Sequence, residues 1–271
     1  MGAELVDHPA FSRVRELRTL KPNLAALLEV KPRAWTSLKA DFTPTVEQTT
    51  SWSALEVLEL WGDEEQPKLT AEVLAPLTKL VELGVDDKML APDALAALPK
   101  LKRLRLGLDG SPPVSGLLKP LTGLEVLEVW AASRLPLGDL FSSTSKTVRT
   151  LVLGANFLKQ DQVAAGLAAL PNVERLELSS PEWATLEVIQ RLITKTKVRA
   201  VVVRSDIGEY ELKGTTLTIE NVRSGRTAEQ LLGARVPKGM LTTVRFPDPF
   251  DDDNRAKIET WATAQGLGLT A

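Results

Sequence analysis

The phrase L-x-x-L-x-L, with Val or Ile allowed at the apolar places, recurs seven times in this chain and limits its possible folds more tightly than any other feature. The copies begin at Leu55, Leu80, Leu101, Leu124, Val148, Val173 and Val198, so subtraction gives intervals of 25, 21, 23, 24, 25 and 25 residues. A period of about 24 residues has room for one strand, one turn and one short helix, a unit too small to bury its apolar face alone. Such units must stack on one another. Two of the copies, LEVLELW over 55–61 and LEVLEVW over 124–130, differ at a single position.

Each copy alternates as a strand does: Leu58 and Leu60 point one way, Val57, Glu59 and Trp61 the other. Between the strands lie segments with helical spacing: LTAEVLAPLTKL (69–80), APDALAALPKL (91–101) and DQVAAGLAALPNV (161–173). Ala and Leu dominate them, and Asp93 or Asp161 sits near the expected helix start. Strand plus short helix at this repeat length resembles the leucine-rich repeat family, over at least residues 55–203. The resemblance implies an α/β solenoid, with a curved parallel β-sheet on the concave side, short helices on the convex side and caps at both ends. The family's repeat carries an Asn three residues after the third Leu, where it satisfies the turn backbone. That place here holds Asp63, Lys88, Asp109, Ala132, Asn156, Pro181 and Asp206, so other polar groups are expected to close most turns.

A single solenoid domain is expected over 1–271, with core repeats over 51–206. Residues 1–50 read either as an N-terminal cap or as degenerate repeats. Trp35, Leu38 and Ala40 fit the repeat frame, Val14 and Leu17 fit it weakly, and NLAALLEV (23–30) suits a short helix. The Thr-rich DFTPTVEQTTSWS (41–53) reads as a loop. Residues 207–271 read as irregular repeats with strands around Leu217 and Ile219 and around Leu241, Val244 and Phe246. A helix follows from about Asp252, its first turn acidic as the macrodipole favours and its apolar stripe formed by Ile258, Trp261 and Ala262. It is expected to seal the C-terminal end of the core.

If the copies stack, the outward positions form the concave surface. Trp61 and Trp130 share one column three repeats apart, roughly 14 Å at ordinary strand spacing. Each either packs under the loop that follows it or anchors a partner. Glu59, Glu82, Asp86 and Glu128 surround Arg103 and Arg105, and the register sets Arg105 beside Glu128. These eight residues form the expected binding surface of a non-enzymatic scaffold for a protein partner. A strip of mixed charge suits a polar protein surface and not a run of phosphates.

The rest of the composition narrows the chemistry. Lys plus Arg number 33 against 35 Asp plus Glu, so the net charge of −2 supplies no global attraction for nucleic acid. Without cysteine there is no disulfide, thiol nucleophile or Cys-based zinc site, and His8 is the single histidine. Asp251, Asp252 and Asp253 start like a calcium loop, but Ala256 and Ala262 stand where Gly and Glu are required. Neither G-x-x-x-x-G-K-[ST] nor G-x-G-x-x-G occurs. The expectation is no cofactor, no metal and no nucleic acid. No apolar run approaches the roughly 20 residues of a spanning helix, so membrane insertion is not expected either. Extracellular members of the resembled family usually carry cysteine-rich caps, which favours a cytoplasmic home here. The bias toward Ala, Leu, Val and Arg with few Asn suggests a bacterial source. Two other functions stay open. One is a regulator of an enzyme such as a small GTPase, acting through Arg204 with Asp206, or through Asn156. The other is a carbohydrate-binding module that uses the two Trp residues.

Overall fold

A computed structural model describes residues 16–18, 35–62, 66–108, 116–131, 140, 145–155, 158–179, 181, 183–222, 226, 228–233, 235–246 and 252–270. His8, Val14, the helix expected over 23–30, and Asp63, Asp109, Ala132, Asn156 and Asp251 lie outside the described residues. The chain is α/β and divides into two compact units, Met1–Ala132 with Pro136–Thr147, and Ser133–Leu135 with Val148–Ala271.

Among the described residues of the first unit six strands lie side by side in chain order: β1 (Glu16–Arg18), β2 (Ser37–Ala40), β3 (Val57–Leu60), β4 (Glu82–Asp86), β5 (Arg103–Leu108) and β6 (Val126–Ala131). All pair in parallel, and the register follows the repeat frame, Leu38 beside Leu58, Leu83, Leu104 and Leu127 in turn. Leu17 pairs with Leu38, so strands of the repeat frame begin before residue 50. Each new strand opens in the same way. Two successive N–H groups donate to one carbonyl of the preceding copy: Glu56 and Val57 to Thr36, Val81 and Glu82 to Glu56, Lys102 and Arg103 to Val81, Glu125 and Val126 to Lys102. The sequence period is thus also a period of backbone hydrogen bonds.

The apolar places of the phrase form the core. Across both units every one of them is buried except Val198, which is half-buried. The connecting helices are short for local reasons. In α1 (Val46–Ser51) the Thr45 hydroxyl accepts from the Gln48 N–H while the Gln48 side chain accepts from the Thr45 N–H, at 3.4 and 2.8 Å. This capping box corrects the expected loop over 41–53: its T-x-x-Q signature was present, hidden in a Thr-rich run. α2 (Ala71–Leu74) starts at a Thr70 cap and stops before Pro76, which lacks the N–H that another turn would need. The next copy has only 3₁₀ turns, Asp87–Met89 and Ala94–Ala97.

The described residues of the second unit form seven strands: β7 (Thr150–Ala155), β8 (Arg175–Ser179), β9 (Ala200–Arg204), β10 (Gly208–Lys213), β11 (Thr216–Val222), β12 (Thr243–Arg245) and β13 (Gly268–Thr270). Between them run α3 (Gln160–Ala169), α4 (Leu186–Ile193), α5 (Ala228–Leu232) and α6 (Asp252–Ala264). β7, β8 and β9 continue the parallel frame, with Leu151 beside Leu176 and Leu176 beside Val201.

β10 then breaks the frame. It runs antiparallel to both β9 and β11, and its hairpin turns at Gly214, whose φ of 59° lies in the left-handed region open to glycine. This explains why only 16 residues separate Val201 from Leu217, which hold the same place in the repeat frame: a hairpin needs no helix between its strands. Tyr210 fills the inner side of β10, fully buried, and its hydroxyl donates to the Ala184 carbonyl at 2.7 Å.

The C-terminal helix buries its stripe of Ile258, Trp261 and Ala262 as the spacing implies. α6 joins β12 to β13, which lie parallel with Thr243 beside Gly268, so one further short strand follows the helix. Trp261 fixes it by donating its indole N–H to the Gly233 carbonyl at 3.1 Å. Among the described residues no helix is long and apolar enough to cross a membrane.

Candidate functional site

Side chains that alternate with the buried leucines of β2 to β6 form the outer face of the first unit's sheet, and all eight expected site residues stand there. Glu59 lies between two cations. Lys39 Nζ is 2.9 Å from its Oε2, and Arg105 Nη1 donates to its Oε1 at 3.1 Å. Arg105 starts on β5 and Glu59 on β3, so the guanidinium spans the strand between them. It can do so because the intervening register position is Gly84. A Cβ there would lie 3.1 Å from Glu59 Cγ.

On its other side Arg105 meets Glu128, Nε to Oε1 at 3.0 Å, as the register implied. Arg103 sits more loosely, 3.6 Å from Glu82 Oε2 and 3.9 Å from Glu128 Oε2. Partial burial opposes the charged form of Glu59, but hydrogen bonds from Lys39 and Trp61 and the attraction of Arg105 outweigh it, so its pKa falls below the ordinary value. Burial likewise opposes the charge on Arg105. Glu128, with help from Glu59 and Glu82, more than restores it, and its pKa rises. Half-exposed pairs of this kind stabilise by about 0 to 1 kcal/mol each, so the network's main effect is to order the face. Counted over these residues, four carboxylates (Glu59, Glu82, Asp86, Glu128) stand against three cations (Lys39, Arg103, Arg105).

The two indoles are tied into the same network. Trp61 Nε1 donates to Glu59 Oε2 at 3.4 Å and Trp130 Nε1 to Glu128 Oε1 at 2.5 Å. Their exposure differs. Trp61 is half-buried, its ring laid across β4 and β5 where Gly84 and Gly107 have no side chains. Cβ atoms at those glycines would lie 3.5 Å from its Cζ2 and 3.2 Å from its Cζ3. Trp130 stays 40% exposed. It is the register partner of Gly107, about 5 Å away across one strand spacing. Trp61 thus leans away from β3 toward β5, and its ring comes nearer to β6 than its backbone position alone implies. The Asp86 carboxylate and the edge of the Trp61 ring fill the space that a Cβ on Gly107 would need.

The second unit carries a different cluster on its outer face. Glu177 accepts from Arg175 at 2.6 Å and from Arg204 at 2.9 Å; Arg175 also donates to Glu211 at 2.6 Å, and Arg204 Nε is 2.7 Å from Glu209. Below them Val202 and Ala200 are buried. Hydrogen bonding to Glu177 dominates the upward pKa shifts of Arg175 and Arg204. Burial pushes against the charge on Glu177, yet bonds from both arginines hold its pKa below the ordinary value. Arg204, named above as a residue that could enter a partner's active site, is held between two carboxylates.

Glu209 and Glu211 could not be placed from the repeat because they sit on the unforeseen β10. The reach of Arg105 over Gly84 was missed as well, although a glycine inside a strand pattern often marks a close approach. Among the described residues no group of three or more His, Cys, Asp or Glu side chains is arranged to hold a metal ion. No protein-family model matches the chain, and no curated protein matches it.

Proposed function

We propose that the chain is a leucine-rich-repeat-type solenoid that acts as a non-enzymatic interaction scaffold and binds a protein partner through the outer face of its first unit. The observation that carries this reading is Trp130. A large indole, 40% exposed, has its N–H already committed to Glu128, and Glu128 is in turn braced by Arg105. A side chain fixed in advance loses little rotamer freedom on binding, and Trp is the residue type most enriched at interface hot spots. The surrounding mixed charge suits a polar protein surface, and a cytoplasmic location suits a cysteine-free chain.

Trp130→Ala removes the exposed ring without touching a buried leucine. It is expected to abolish partner capture in a pull-down from the native cell while the circular-dichroism melt stays nearly unchanged. Undiminished capture would remove this face from the account. A sugar could stack on the same indole, so a glycan array belongs beside the pull-down; saturable glycan binding lost in Trp130→Ala would replace the protein partner with a carbohydrate.

A further inference from the structure

We propose that the groove between α3 and α4 binds a single-chain anionic amphiphile, a fatty carboxylate whose tail lies in the groove and whose head meets Arg191 and Lys195. The site is on the helix side of the second unit and does not depend on the interaction role proposed above. Strands stack about 4.8 Å apart, whereas a helix with its side chains is about 10 Å across, so consecutive copies that both carry a full helix leave a gap unless large side chains fill it. α3 presents Ala164 and Ala168, one turn apart on one face, and the gap stays open as a groove of about 640 Å³. The corresponding place in the first unit is marked by Leu77 and Leu80 as Leu170 and Val173 mark this one. There the four-residue α2 meets a 3₁₀ turn, and the space is about 130 Å³. Only the larger volume falls in the range of small-molecule sites, about 300 to 1,000 Å³.

The lining selects the ligand. Leu167, Leu170 and Val173 are buried and Leu192 is half-buried, so the groove is aliphatic inside, with no aromatic ring on which a sugar or flat heterocycle could stack. Two cations, Arg191 and Lys195, line it one turn apart at the C-terminal end of α4, and no acid does. Basic residues commonly close a helix C-terminus. These two also border apolar surface, and neither forms an ion pair with another described residue. The Thr194 and Thr196 hydroxyls on the same rim already donate to the Gln190 and Ile193 carbonyls. Positive charge is therefore the main polar feature, and a carboxylate matches it by taking the guanidinium fork of Arg191 and the point charge of Lys195. From α4 only Arg191 and Leu192 line the groove, too short a wall for the i, i+3, i+4, i+7 anchors of a docked helix.

The test titrates the full chain with sodium dodecanoate below its micelle concentration, followed by calorimetry. Dodecanoate is expected to bind saturably, one per chain. Octanoate, with a shorter tail, and dodecyltrimethylammonium, with the opposite head, should each bind at least about tenfold more weakly. Ala168→Trp fills the groove from an exposed position and should abolish binding, while Arg191→Gln with Lys195→Gln should weaken it about tenfold. Trp130→Ala should leave it unchanged. No saturable binding up to about 1 mM, equal binding of the cationic amphiphile, or binding that survives Ala168→Trp would each overturn the inference. If the thermal melt shows that Ala168→Trp does not fold, the double Gln variant, at two exposed positions, decides: unchanged affinity overturns the inference. If dodecanoate fails while Ala168→Trp, and not Trp130→Ala, loses capture of a cell protein, the groove's occupant is a protein and the amphiphile assignment falls.

Discussion

The outer faces of the two units use the same arginine and glutamate chemistry to different ends. In the second unit the carboxylates of Glu177, Glu209 and Glu211 all accept from Arg175 or Arg204, over an apolar floor of Ala200 and Val202. That ladder satisfies itself. In the first unit Glu59 and Glu128 also brace two indoles, and the Trp61 ring lies over glycines at positions 84 and 107 while Trp130 stays 40% exposed. Ion pairs on a strand face therefore do not mark a binding site by themselves; the difference lies in what they hold in place.

The comparison supposes that the cores beneath the two faces are equivalent, and this carries the largest expected effect. Leu127→Ala in the first unit and Leu176→Ala in the second, both residues fully buried, should each destabilise by about 2 to 5 kcal/mol in urea titrations. A near-zero cost in either would break the equivalence. The next effect isolates the antiparallel β10, which has no counterpart in the first unit's described strands. Tyr210→Phe removes the donor to the Ala184 carbonyl inside a buried site and should cost about 1 kcal/mol, with partner capture intact. No loss of stability would show that this contact does not secure the hairpin.

The smallest effect is electrostatic and sharpens the contrast between the ladders. Glu59 and Glu177 have pKa values lowered in the folded state, so their stabilisation is fully present above the ordinary glutamate value and is lost as the pH falls through the lowered ones. Chemical denaturation from pH 6 down to about pH 3 should show this acid loss. Glu177→Gln and Glu59→Gln should each flatten it by about 1 kcal/mol or less, because both side chains retain contact with solvent. An unchanged acid limb in both variants would mean that the ladders order side chains without stabilising the fold.

How much of this was legible in the sequence varied with the kind of information required. The repeat fixed the register of β2 to β9 within each unit, because a phrase whose apolar places are nearly all buried cannot slip by one residue without turning leucines to solvent. It therefore also put Arg105 beside Glu128. What it could not supply was whatever departs from the repeat: the hairpin strand β10, the strand β13 beyond α6, and the helix capped by Thr45. Side-chain reach was hidden too. The lean of Trp61 over two glycines and the span from Arg105 to Glu59 depend on which neighbours are missing, and a column of register positions lists only those present.

The central claim is that binding belongs to the first unit's face and not to the second's. Its most direct test is quantitative capture from the native cell by wild type, Trp130→Ala and Arg175→Ala side by side, each confirmed folded by its thermal melt. The account predicts that proteins enriched by wild type are lost with Trp130→Ala and kept with Arg175→Ala. Retention by Trp130→Ala, or equal loss from both variants, would contradict it.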